Sequence, residues 1–311
     1  RKIQKKYVPF IRKTWILRGV FGDGLKKHHL NTNAFGGRHK KTLLKVCFFP
    51  PTPKALASVQ KNKKKGCNKM IFEKDFNIGV KDIGKNNYIK NRAILEMLEN
   101  IGAYHSDAAG YGANDIKKTH VVWILAGWKL KVINRPKYGQ KIHIKTWGRD
   151  MAKAITYRDF EIYNNQKELC AIATSKWVLV NTETGRITRI TDEIASKYQP
   201  ENNSVYEEKE IEKIELPEES EYTKKIEYTT TRRDIDLNGH MHNLYYLDLA
   251  YEVLPQDIYE KRPFDNFRIQ YKKEIKFGDI IKCRYTYENN EHIITIYNEE
   301  CTKVHAIIIL K

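Results

Sequence analysis

Two stretches of this chain, far apart in sequence, fall on one another at a single constant offset, and that internal repeat restricts the possible folds more than any other feature. Asp82-Ile83-Gly84-Lys85-Asn86-Asn87-Tyr88-Ile89-Lys90-Asn91 lies over Asp234-Ile235-Asp236-Leu237-Asn238-Gly239-His240-Met241-His242-Asn243. Asp, Ile and both Asn coincide, as do Leu95 and Leu247 further on. Each stretch enters a segment with the three-to-four spacing of a half-buried helix. In the first, Ile94, Leu95, Met97, Leu98 and Ile101 precede Gly102; in the second, Met241, Leu244, Leu247 and Leu254 precede Pro255. Strand-like segments follow both: 119–133, 142–150, 154–164 and 169–181, then 267–276, 280–288, 292–297 and 303–310. They are rich in β-branched and aromatic residues, and Ile281, Cys283, Tyr285 and Tyr287 alternate with polar neighbours. A further match sets Trp128-Lys-Leu-Lys-Val, with Pro136-Lys-Tyr-Gly139 behind it, over Phe267-Arg-Ile-Gln-Tyr, with Ile275-Lys-Phe-Gly278 behind it. The expected fold is α+β: two copies of one long helix followed by an antiparallel sheet.

Between the copies, residues 199–221 hold two prolines and nine glutamates against two lysines, the composition of a surface connector. The expected division is a first domain over 70–198, an acidic linker over 199–221 and a second domain over 222–311.

Charge separates residues 1–69 from everything else. The formal net charge is +18, yet this leader holds 19 of the 56 Lys and Arg with Asp23 as its one acid, so the rest is balanced. The leader reads as disordered, or as upstream sequence translated in frame with Met70 as the natural start. A transit peptide is a rival, against which the single serine, Ser58, counts. A nucleic-acid-binding arm is another, but a balanced remainder argues against nucleic acid as the partner. No run approaches the roughly 18 apolar residues that span a bilayer. Cys47, Cys67, Cys170, Cys283 and Cys301 show no metal or redox spacing, and Cys170 and Cys283 sit in strand-like alternation as small apolar residues. A reducing, cytoplasmic setting is expected, or a plastid one if 1–69 were a transit peptide.

The copies diverge where chemistry becomes possible. Asp236 faces Gly84, His240 faces Tyr88 and Glu274 faces Arg135, whereas Asn238 keeps Asn86 as its counterpart. One reactive centre per chain is therefore expected, in the second copy. In an extended segment the spacing of Asp236, Asn238 and His240 would put all three side chains on one side, just ahead of a helix whose first amides lack partners. A carboxylate, an amide and an imidazole beside such donors could position water, hold a carbonyl and move protons. The alternative is that Asp and Asn only cap the helix and His240 is a half-buried histidine.

The run Arg233-Asp-Ile-Asp-Leu-Asn-Gly-His-Met-His-Asn243 resembles the D-x-D-x-N-x-H-x-x-N signature of the plant and bacterial acyl-acyl-carrier-protein thioesterases. Tyr271-Lys-Lys-Glu274-Ile275 is similar to their Y-x-x-E-C block, and Trp147, Trp177-Val-Leu-Val-Asn181 and Thr184-Gly-Arg186 resemble further family positions. The resemblance covers 70–311. It implies a double hot-dog fold and hydrolysis of a fatty acyl thioester on acyl carrier protein, with Asp236, Asn238, His240 and Glu274 as the catalytic positions. It implies no metal and no organic cofactor. Ile275 stands where plant members commonly carry cysteine, which removes a thiol nucleophile there and favours direct attack by water. In that reading Glu274, with or without Asp236, is the base, His240 and the helix amides hold the carbonyl oxygen, and Asn238 orients; a covalent anhydride on Asp236 is the other route. The first copy would shape the acyl tunnel, with Met97, Leu98, Val121, Val122 and Trp123 as candidate lining. Lys272, Lys273, Lys276 and Lys282 would steer an acidic carrier. A homodimer is compatible with the reading. Rival functions are an acyl-coenzyme A thioesterase, a hot-dog dehydratase and a non-enzymatic acyl-carrier binding module.

Overall fold

The computed structural model describes residues 71–311 apart from positions 150, 152 and 262. The basic leader, with Met70, Cys47 and Cys67, lies outside the described residues. The first half contains β1 (Phe72–Asn77), α1 (Asn91–Ala109), α2 (Ile116–Thr119), β2 (Val121–Val132), β3 (Lys141–Arg149), β4 (Ile155–Tyr163), β5 (Leu169–Asn181), β6 (Arg186–Ile187) and α3 (Asp192–Tyr198). The second contains β7 (Lys224–Thr229), α4 (Asn243–Val253), α5 (Gln256–Glu260), β8 (Asn266–Tyr271), β9 (Ile280–Glu288), β10 (Glu291–Asn298) and β11 (Val304–Leu310). The eight strands expected from alternation are present, seven within two residues at each end, while the one expected over 267–276 ends at Tyr271. The short edge strands β1 and β7 were not expected.

All strands join one antiparallel sheet in the order β1-β3-β4-β5-β2-β8-β11-β10-β9-β7, with β6 beside β5. Each half thus repeats the same strand order around its own long helix, and β2 pairs with β8 at the seam: two hot-dog units share one sheet. The seam register carries the repeat into three dimensions. Trp128 pairs with Ile269, Lys129 with Arg268 and Leu130 with Phe267. The residues matched in sequence, Trp128 with Phe267 and Leu130 with Ile269, therefore exchange partners about a pseudo-twofold that passes between Lys129 and its own counterpart, Arg268.

Two cations directly opposed across strands repel, and the acidic segment 199–221 supplies what they need. Lys129 Nζ lies 3.1 Å from Glu208 Oε2, and Arg268 bonds to Glu212 and to Glu291. This segment is more than a surface connector. Ile211 and Ile214 are buried, and Ile214 packs on Ile293, Ile307 and Ile309 of the outer sheet face. Backbone approach at the seam also requires Gly127, because a Cβ there would stand 2.6 Å from the carbonyl oxygen of Ile269.

One continuous apolar core lies between the sheet and the two long helices. Leu95, Leu98 and Ile101 of α1 and Leu244, Leu247 and Val253 of α4 are almost fully buried in it, each worth roughly 1.5–3 kcal/mol of transfer from water. Arg92 Nε, 2.9 Å from Asp248 Oδ2, ties α1 to α4. Helix α1 does not stop at Gly102. It runs on through Gly102, which lies against Arg158, and ends at Gly110, whose φ of 78° closes a left-handed cap. Among the described residues no helix is long and apolar enough to cross a membrane.

Candidate active site

Residues 236–240 form a tight turn rather than the extended segment expected. Ile235 bridges Met241, Asp236 N–H donates to the His240 carbonyl at 2.8 Å, and Gly239 N–H donates to the Asp236 carbonyl at 3.1 Å. Gly239 completes the reversal at φ 79°, a conformation that favours glycine. The first half builds the same loop: Ile83 bridges Ile89, Gly84 N–H reaches the Tyr88 carbonyl, and Asn87 takes the left-handed position at φ 66°.

The two loops are held by different side chains, and the difference sets the roles of two candidates. Asp236 Oδ1 accepts from Asn238 N–H at 2.8 Å and from His240 N–H at 3.2 Å, so the carboxylate frames its own turn. In the first half there is no side chain at Gly84, and Asn86 Oδ1 accepts from Tyr88 N–H instead. The Asp236 bonds thus release Asn238 from framing, apart from a 3.4 Å bond from its Nδ2 to Asp236 Oδ2. Asn238 is exposed at the tip of the turn, and His240 is half-buried with its ring free of hydrogen bonds among the described residues.

The helix amides are not available as expected. Neither Asp nor Asn caps α4: His242 does, its Nδ1 accepting from Leu244 N–H at 3.3 Å while its carbonyl accepts from Tyr245 N–H. Met241 N–H is spent on the Ile275 carbonyl and His242 N–H on the Asp234 carbonyl. Of α4's leading amides, Leu244 and Tyr245 N–H are therefore taken up by the His242 cap.

Glu274 lies on the segment that pairs with the turn. The Met241–Ile275 bond and the His240–Lys276 bridge place it close in sequence to His240's partner. Its side chain is exposed and makes no hydrogen bond or ion pair among the described residues. The Tyr246 phenol lies near both carboxylates: burial pushes it up first, and the charges of Glu274 and Asp236 add to that. The first-half bridges, Tyr88 to Lys137 and Ile89 to Pro136, put Arg135 at the place of Glu274. Arg135 is a clamp there. It donates to the Ile89 carbonyl, Asn91 Oδ1, the Phe264 carbonyl and Asp265 Oδ1 at 2.8–2.9 Å, pinning the start of α1 to the second half.

An apolar cavity opens beside the turn. Its walls are first-half residues, among them Ala103, Val122, Trp123, Met151 and Trp177, and the second half contributes Leu237 and Asn238. Val122 and Trp123 line it as expected. Met97 and Leu98 do not, since they are buried in the main core, and Val121 packs in a separate small cluster with Ile190 and Leu179. Arg158 reaches the cavity wall with His105 Nδ1 2.8 Å away; burial pushes that histidine down to about 3, so it stays neutral beside the guanidinium.

A second, polar cleft holds Asp236 and His242 from the turn side and Arg92, Glu96 and Glu99 from α1. Two of its residues were missed by sequence reasoning. Glu99 Oε2 lies 3.7 Å from His242 Nε2, and Glu99 Oε1 is enclosed without a hydrogen-bond partner. Burial first, then the Glu96 carboxylate, pushes Glu99 up to about 8, and burial pushes His242 down. A signal existed for Glu99: an acid at helical spacing between Leu95 and Gly102, on the face that packs inward.

Among the described residues no cysteine lines the cavity or the cleft. Ile275 is fully buried where the family block commonly has cysteine, and Cys283 is buried in the core with its thiol pushed up to about 12 by burial.

Fold and site define a tandem hot-dog protein with one polar turn in its second half and an apolar cavity in its first. The models of the acyl-ACP thioesterase N-terminal and C-terminal domains match residues 69–198 and 217–309, and the chain belongs to that family. It is 23% identical to oleoyl-acyl carrier protein thioesterase 1 of Arabidopsis thaliana over 68% of this chain and 62% of the relative. To the dodecanoyl-[acyl-carrier-protein] hydrolase of Umbellularia californica it is 24% identical, over 70% and 59%. The chain thus spans about three-fifths of the length of these curated relatives. The fold matches the solved 12:0-ACP thioesterase from Umbellularia californica with a TM-score of 0.70 at 20% identity, covering 80% of this chain and 98% of that one. An acyl-ACP thioesterase from Bacteroides thetaiotaomicron gives 0.68 at 18% identity, over 77% and 96%.

Proposed function

We propose that this chain hydrolyses the thioester between a fatty acyl chain and acyl carrier protein, releasing the free acid. The observation that carries the reading is that the first half's apolar cavity is completed by Leu237 and Asn238 of the second half's turn. An acyl chain in the cavity would bring its thioester to Asn238 while the pantetheine arm reached solvent past the exposed tip. Water forms the new C–O bond, the C–S bond breaks, and the sulfur leaves as the thiol. Glu274 is assigned as the base for that water, supported by its freedom from partners among the described residues and its place on the segment paired with the turn. His240 and Asn238 are assigned to the carbonyl oxygen and to orientation, and Asp236 to holding the turn. Direct attack by water is supported by Ile275, which leaves no thiol at that position. The exposed Lys272 and Lys273 on the same segment are assigned to steering the acidic carrier, and a cytoplasmic setting belongs to the same proposal.

Hydrolysis of one acyl chain presented on carrier protein and on coenzyme A tests the reading. A higher kcat/KM on carrier protein is expected. Equal or faster turnover on coenzyme A would make the chain an acyl-coenzyme A thioesterase, and binding without turnover of either would make it a binding module.

A further inference from the structure

Among the described residues Glu99 is the one side chain that lines both the apolar cavity and the polar cleft. It comes from α1 of the first half, whose own loop lacks counterparts of Asp236, His240 and Glu274. Its side chain is 18% exposed, and Oε1 is fully enclosed without a partner. The groups that face it are Arg92 and Glu96 on its own helix, Asp236 and His242 from the turn, and Tyr271 from β8. Of these only Arg92 is a fixed cation, and its Nε is engaged by Asp248; the cleft's other cations are Lys81, paired with Glu96, Arg233, paired with Asp234, and Lys90. His242 cannot easily become a second one. Its Nδ1 accepts from Leu244 N–H, so the neutral ring carries its proton on Nε2, directed at Glu99. A carboxyl group that is enclosed, near two other carboxylates and opposite a neutral imidazole holds a proton.

We propose that Glu99 is a catalytic acid of this centre, standing where the acyl cavity meets the polar cleft and delivering its proton to the departing sulfur. The inference rests on the thioesterase reading and adds a residue from the first half to its machinery. Water's oxygen bonds to the acyl carbon and its proton passes to the base. As the C–S bond breaks, the electron pair goes to sulfur and the Glu99 proton follows it. The Glu99 carboxylate then recovers a proton from the protonated base through solvent, and the enzyme returns to its starting state. An alkyl thiol titrates at about 8.5, so the departing sulfur ends mostly protonated at neutral pH, and an acid at this atom can supply that proton as the C–S bond breaks.

The experiment compares wild type, Glu99→Gln and Glu99→Asp on an alkyl thioester, acyl carrier protein, and on an acyl p-nitrothiophenyl ester, whose thiolate leaves without protonation. On the alkyl thioester Glu99→Gln should lower kcat about a hundredfold with KM little changed, and Glu99→Asp should restore part of it. On the aryl thioester the Glu99→Gln loss should shrink to about threefold or less. The wild-type rate should fall as pH rises through about 8, and Glu99→Gln should lack that limb. Equal losses on both esters would reduce Glu99 to a structural residue and overturn the proposal, as would Glu99→Gln within about twofold of wild type on both. Wild-type protein that turns over neither ester would overturn the thioesterase reading itself.

Discussion

The role of Asp236 gives the sharpest prediction, because the turn shows the carboxylate engaged with its own backbone. Asp236 Oδ1, on a half-buried side chain, accepts from two N–H groups of its own loop, at 2.8 and 3.2 Å. Hydrogen bonds of this kind are worth about 0.5–1.5 kcal/mol each, and more when the acceptor is charged, so losing both should cost the turn about 1–3 kcal/mol. If that energy appears as a smaller population of the working geometry, Asp236→Ala should lose about 5- to 150-fold in kcat. Asp236→Asn keeps an oxygen at the same place, able to accept both bonds, and should stay within about tenfold of wild type. Steady-state release of carrier-protein thiol, followed with a thiol reagent, measures both variants. Asp236→Asn as damaged as Asp236→Ala would refute the framing role. It would mean that the negative charge itself acts, as base or as the nucleophile of an anhydride.

Three further outcomes follow from neighbouring features. Glu99 has its folded-state pKa raised to about 8 from 4.5, so its contribution to stability is complete below about 4.5 and is lost as pH rises through about 8. Glu99→Gln should therefore melt higher than wild type at pH 9, with the gap closing toward pH 4.5; a constant gap would contradict the burial of that acid. Arg135→Met removes two acceptor contacts at the start of α1 and two on the second half and should cost about 3 kcal/mol, a fall in Tm of roughly 10 °C. An unchanged Tm would show that the clamp does not hold the halves together. Val122→Trp fills part of the apolar cavity and should shift the released fatty acids, profiled by gas chromatography, toward shorter chains; an unchanged profile would place the acyl chain elsewhere.

The duplicated architecture was legible because both the loop pattern and the helix face recur, and the seam fell on residues already matched, Lys129 and Arg268. Other features were hidden for identifiable reasons. The edge strands Phe72–Asn77 and Lys224–Thr229 are short and half charged, so their alternation resembles polar loop. Gly102 looked like a helix stop, but it lies within α1 against Arg158, a residue on a distant strand. The period-two spacing of Asp236, Asn238 and His240 suggested an extended segment. Gly239 and the Asp236 carboxylate override that spacing by closing a turn. For the candidate site, the pattern located the turn, while Glu99 enters it through the packing of α1 beside α4, which no local pattern encodes. The acidic linker read as a connector because its partners, two cations on the pseudo-twofold, become neighbours only once β2 meets β8.

The central claim is that one reactive centre is assembled from both halves, with the acyl chain in the first and the polar turn in the second. A crystal structure of the chain with a non-hydrolysable acyl-pantetheine thioether tests it most directly. The account predicts acyl carbons against Val122 and Trp123 and the sulfur between Glu99 and Asn238. An acyl chain bound outside that cavity, or a sulfur remote from the turn, would contradict it.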